Sequence, residues 1–146
     1  MRSKNKSAGI LPIVLLLSGF FVGSSNEFQI TSDPDDQYSL AIYGDIVVWE
    51  EWRIYDSDIY AYKLSTGEEF QISPNGSSQS SPSIYGDIVV WEDDRNGNWD
   101  IYGYNLSTGE EFQITADESD QKNPAIYGDI VVWEDERNDD SDFYNS

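Results

Sequence analysis

At 146 residues the chain has room for one domain, and it sets 28 acidic residues against eight basic ones with no histidine and no cysteine. A formal charge of −20 repels nucleic-acid phosphates and anionic lipid headgroups, so neither is expected as a partner. Without histidine and cysteine, histidine-based triads, thiol chemistry, the usual zinc sites and disulfides are excluded.

The chain opens on a leader. Arg2, Lys4 and Lys6 form a basic head, Ile10–Val22 is apolar apart from an early break at Pro12, and small residues follow in "GSSNE". That order predicts a signal peptide over 1–25, cleaved near Ser24 or Ser25, and a secreted or cell-surface product. The apolar run has 13 residues, short of the roughly 20 that span a bilayer, so no stable membrane insertion is expected once the leader is removed. Residues 26–146 keep five basic residues against all 28 acidic ones, a net of −23. A surface so acidic leaves calcium, cationic partners and neutral glycans open. The plainer reading is a solubilising exterior.

From here the chain is a repeat. "IYGDIVVWE" stands at Ile42–Glu50, Ile84–Glu92 and Ile126–Glu134, and residues 42–83 match 84–125 at 26 of 42 positions without a gap. The strand that precedes them, "EFQIT" at 27–31, is in phase with 69–73 and 111–115. In the second copy Pro82–Tyr85 reads as a short strand ending at the Gly86-Asp87 turn. Ile88–Glu92 is β-branched and aromatic, as strands are. Asp93–Asp100 is a polar loop holding Asn-Gly, a hairpin signal. Ile101–Leu106 alternates, placing Tyr102, Tyr104 and Leu106 on one face. After the Ser107–Gly109 turn, Glu111–Thr115 forms a fourth strand. The third copy begins at 126 and reaches "DFY" at Asp142–Tyr144.

Four successive apolar residues in "IVVW" require a strand covered on both faces. A four-stranded meander with a doubly covered strand, recurring every 42 residues, predicts an all-β chain of β-propeller blades. About three blades fit, an incomplete ring per chain. A β-sandwich is the competing fold, but it does not call for residue-by-residue repetition.

The stretch "SPSIYGDIVVWEDDRNGNWDIYGYNLSTGEEFQIT" resembles a TolB-type propeller repeat. It shares the Pro-led inner strand, the apolar second strand, a "D-R-x-G-x-x-x-I-Y" hairpin and a terminal "I-T". With Trp closing the second strand, it is similar to tandem repeats on exported and surface-layer proteins of methanogenic archaea. The resemblance covers 27–146 and implies six- or seven-bladed rings, where this chain holds fewer than three complete copies. The first copy departs at Leu40, which replaces the strand-leading Pro, and in "EWRIYDSD". Such a blade specifies architecture and leaves activity open.

Candidate sites are few. Glu92, Asp94, Asn96 and Asp100 follow the oxygen-ligand spacing of a calcium loop, with Gly97 at its turn. Trp52 and Ile54 break that spacing in the first copy and Asp139 replaces Gly97 in the third, so the preferred reading is a hairpin capped by Asp and Asn. No cofactor is therefore expected, calcium excepted. The tyrosines and tryptophans of the repeat are expected to pack between blades, whereas the loop residues Trp52 and Trp99 are candidates for exposed contacts. Asn75 and Asn105 lie in glycosylation sequons near turns. Carboxylate pairs suited to glycoside cleavage abound, but 28 acidic residues make them without selection.

The expected function is a noncatalytic exported or cell-surface propeller module for protein or glycan interaction. The alternatives are a carboxylate-dependent carbohydrate-active enzyme, as some TolB-like propellers are, and a nonfunctional fragment of a longer propeller protein. Residues 27–146 make about 2.9 periods, so two copies of the chain are expected to complete a six-bladed ring as a homodimer exchanging 27–31.

Overall fold

The computed structural model describes residues 14–17 and 26–137. All its regular elements are strands: β1 (Val14–Leu17), β2 (Asn26–Gln29), β3 (Asp36–Tyr43), β4 (Ile46–Trp52), β5 (Ser57–Lys63), β6 (Glu68–Gln71), β7 (Gln79–Tyr85), β8 (Ile88–Asp93), β9 (Asp100–Asn105), β10 (Glu110–Gln113), β11 (Gln121–Tyr127) and β12 (Ile130–Asp135). They form two antiparallel four-stranded meanders, β3-β4-β5-β6 and β7-β8-β9-β10, then the β11-β12 hairpin that opens a third. The first strands of successive blades, β3, β7 and β11, neighbour one another along the inner edge. "DFY" at 142–144 and most of the leader lie outside the described residues. The described part of the leader, β1, pairs antiparallel with β2, Val14 opposite Gln29. Among the described residues no helix is long and apolar enough to cross a membrane.

The "IVVW" strands β4 and β8 are covered on both faces, as their composition requires, whereas Ile130, Val132 and Trp133 of β12 are exposed. Val48, Ile59, Ala61 and Ile72 of the first blade meet Ile84, Val89, Trp91 and Tyr102 of the second in one core. On the other side of β4, Val47 and Trp49 are capped by Ile30. Ile30 stands 42 residues before Ile72 and does the same work, so residues 30–31 occupy the place of a preceding blade's outer strand. Trp49 and Trp91 are wholly buried. Replacing a side chain of that size by alanine in a packed core costs about 3–5 kcal/mol.

Strand ends differ modestly from expectation. β7 starts at Gln79 rather than Pro82, because a register shift between Ser80 and Ser83 lets the strand continue through an irregularity. Ser81 sits there at φ 55°, and Ser39 and Asn123 repeat the conformation at 51° and 53°. A left-handed non-glycine residue carries strain that its surroundings must offset. The turns of "YGD" use Gly44, Gly86 and Gly128 at φ 55°, 60° and 59°, a conformation other residues adopt at a cost.

Candidate functional site

The hairpin loop does not gather its four expected ligands into one cluster. Glu92 faces the next blade, accepting from Ser80 Oγ at 2.5 Å and from the Asn123 amide at 2.8 Å. Asp94 Oδ1 accepts from the Ser78 amide at 2.8 Å. Only Asn96 and Asp100 meet, the amide of one donating to the carboxylate of the other at 2.9 Å. Trp52 is 52% exposed and its indole N–H donates to Glu50. Trp99 is half-buried, its backbone tied to Asp120 and Gln121. Asn75 turns its amide toward Asp93, whereas Asn105 uses its oxygen to cap Ser107 and Thr108.

Sequence reasoning missed the most elaborate polar cluster. The side chain of Asp93 is fully buried at the end of β8. Its Oδ2 accepts from Asn75, Gln79 and Trp91, each at 3.2 Å, and from Arg95 at 2.5 Å; Oδ1 takes Ser77 at 2.8 Å. Gln79 extends the cluster into the first blade, accepting from the Ile59 amide at 3.1 Å and receiving Ser57 Oγ on its backbone oxygen at 2.7 Å. Burial pushes the Asp93 carboxyl up, but hydrogen bonds from Arg95, Ser77 and Trp91 outweigh it and bring it down to about 2. Arg95 also lies over the Tyr102 ring at 3.9 Å, a cation–π contact. The same columns hold Gln37, Trp49, Glu51 and Arg53 in the first copy, and Gln121, Trp133, Asp135 and Arg137 in the third. There burial pushes the Glu51 carboxyl up despite a hydrogen bond from Arg53, and Asp33 adds to the rise.

A second clamp joins blades on the opposite face. Glu50 Oε2 accepts from the Ser81 amide at 3.4 Å, as Glu92 does from Asn123. The recurrence of this glutamate has a structural use: Glu50 and Glu92 each meet the left-handed residue of the following blade, while Glu134 accepts from the Asn123 side chain of its own blade.

Where the "YGD" turns line up, the tyrosines form a row. Tyr43 and Tyr85 have ring centroids 4.7 Å apart, and Tyr85 and Tyr127 4.9 Å, both tilted. Tyr43 is 40% and Tyr127 76% exposed and Tyr85 is half-buried, so the row reaches the surface, unlike the buried Trp49 and Trp91. Beside it opens a cavity of about 740 Å³ between the first two blades, lined by Tyr43, Asp45, Lys63, Phe70, Asp87 and Tyr104. The Tyr85 phenol beside Tyr43 holds that hydroxyl above its ordinary range. Aromatic faces flanked by carboxylate acceptors suit a neutral polyhydroxylated ligand.

No protein-family model and no curated protein matches the chain. Solved structures do. TolB from Acinetobacter baumannii superposes with a TM-score of 0.63 at 23% identity, over 77% of this chain and 30% of that one. A putative TolB from Agrobacterium tumefaciens gives 0.56 at 17% identity, over 67% and 36%. The fold is that of TolB-like β-propeller blades. The chain spans about a third of the length of these proteins.

Proposed function

We propose that this TolB-like propeller module is noncatalytic, acts outside the cell or on its surface, and binds neutral glycans through the tyrosine row and adjoining cavity. The row of Tyr43, Tyr85 and Tyr127 carries the reading, because three adjoining, tilted, partly exposed rings at one blade edge are not needed to fill the core. The signal-like leader supports export, and the Trp-closed second strand supports kinship with archaeal surface-layer repeats. Anionic polymers are disfavoured by the net charge of −20.

A glycan array tests this. Binding is expected for neutral oligosaccharides, falling at least tenfold in Tyr85→Ala, with every bound glycan recovered unchanged. Shortened products would favour the carboxylate-dependent enzyme instead. No binding to any neutral glycan would remove the reading.

A second reading concerns assembly. Ile30 on Trp49 stands where the outer strand of a preceding blade would lie, which is the place a neighbouring copy's last blade would need it. Two copies arranged so would complete six blades. The remaining alternative, a fragment of a longer propeller gene, is tested by reading the downstream DNA for further 42-residue copies.

A further inference from the structure

The columns that surround Asp93 are filled differently in the first copy. Asn75 and Ser77, which donate to Asp93, correspond to Asp33 and Asp35, and Asp93 corresponds to Glu51. Two donors have become two carboxylates around a third. Carboxylate oxygens of Asp33, Asp35 and Glu51 lie within 4.8 Å of one another. The Glu51 side chain is only 1% exposed, and while Oε1 takes Arg53 at 3.1 Å, Oε2 has no hydrogen-bond partner. Gln37, opposite Glu51 in the β3–β4 register, likewise leaves a buried Oε1 without a donor. Buried acceptors in native proteins are normally satisfied, and those without a protein donor point to a water or an ion. Three carboxylates against one guanidinium leave two negative charges at the blade edge.

We infer that Asp33, Asp35 and Glu51 bind a hard divalent cation, with calcium the fitting ion, at the junction between residues 30–37 and the first blade. Each side chain is an oxygen donor of the kind calcium takes. Calcium takes oxygens at about 2.4 Å in a flexible geometry, whereas magnesium at about 2.1 Å demands a near-ideal octahedron. The cation supplies what Asn75 and Ser77 supply in the second blade: positive partners for a buried carboxylate. It thereby ties the 30–37 segment to β4. The site is distinct from the hairpin loop of Glu92, Asp94, Asn96 and Asp100.

Chelator-stripped protein titrated with calcium tests this. The melting midpoint is expected to rise by roughly 5–10 °C in millimolar calcium. Terbium is expected to bind with luminescence excited through tryptophan, Trp49 being two residues from Glu51, and to be displaced by calcium. The double variant Asp33→Asn, Asp35→Ser installs the pair that already functions beside Asp93. It is expected to keep a β-sheet circular dichroism spectrum while losing both responses. The Asp94→Asn, Asp100→Asn variant is expected to keep both. A stripped wild-type protein with neither response overturns the inference, and so does a response lost in the Asp94 and Asp100 variant but kept in the Asp33 and Asp35 variant.

Discussion

Asp93 shows how one buried charge is made tolerable. Taking a carboxylate out of water costs several kcal/mol, and the cost is offset only where every lone pair finds a donor. Arg95, Asn75, Ser77, Gln79 and Trp91 provide that shell. Asp93→Ala leaves Asn75, Gln79 and Trp91 without their acceptor, although Arg95 keeps Glu111, and is expected to destabilise the fold by about 1–3 kcal/mol in urea unfolding. The pH dependence has a definite sign. The folded carboxyl lies at about 2 against 3.8 when free, so its contribution is present above about pH 4 and disappears as pH falls toward 2. The shift corresponds to roughly 2.5 kcal/mol at most. Wild type is expected to lose stability over that window more steeply than Asp93→Asn; parallel acid-unfolding curves would refute it.

At the scale of a strand, the two complete blades act as controls for each other. Gly103 in β9 leaves no room for a side chain where it stands: an added Cβ would meet Phe112 ring carbons at 2.6 and 2.7 Å. Yet the first blade carries Ala61 in that column, fully buried, with Phe70 in place of Phe112. The ring is the movable end of a side chain that is 40% exposed, so it can turn aside. Gly103→Ala is therefore expected to change the melting free energy by less than about 1 kcal/mol and to favour the folded state through lost unfolded-state freedom. A loss above 2 kcal/mol would mean that β9 and β10 cannot adopt the spacing of β5 and β6. The same comparison explains what was legible from sequence. "IVVW", the "YGD" turn and Asn-Gly announce strands and turns through local chemistry, so the blade could be read from residues alone. The Asp93 cluster could not: three of its donors, Asn75, Ser77 and Gln79, lie 14–18 residues away, and the first two give way to Asp33 and Asp35 in the first copy. Its nearest visible traces are a Trp two places before the acid and an Arg two places after it in every copy, the Arg at 53, 95 and 137. The tyrosine row was hidden for another reason, since periodicity gives the column without saying whether neighbouring blades cover it.

Across the whole molecule, apolar faces at the two ends of the arc remain open among the described residues. Val48 and Val90 are fully buried by the next blade, but Val132 is 57% exposed; Ile84 is buried, but Ile42 is 55% exposed. These are the outgoing and incoming halves of one interface, already built between the first and second blades. A second copy can therefore complete each, and light scattering on the leader-free protein is expected to give the mass of two chains. Val132→Asp is expected to halve that mass and leave the β-sheet spectrum unchanged. A wild-type protein with the mass of one chain would dispose of the six-bladed ring.

The glutamate clamp also gives the chain a grammar of direction. At both joints between blades a carboxylate is handed forward to an amide of the next blade, so a blade cannot be turned around and still join its neighbours. Side chains in a strand alternate faces, so a slip of one residue would aim Glu92 at the wrong neighbour, whereas a slip of 42 leaves each joint intact. Gene duplication that adds or drops whole copies thus preserves the joint between one blade and the next, however many copies are printed.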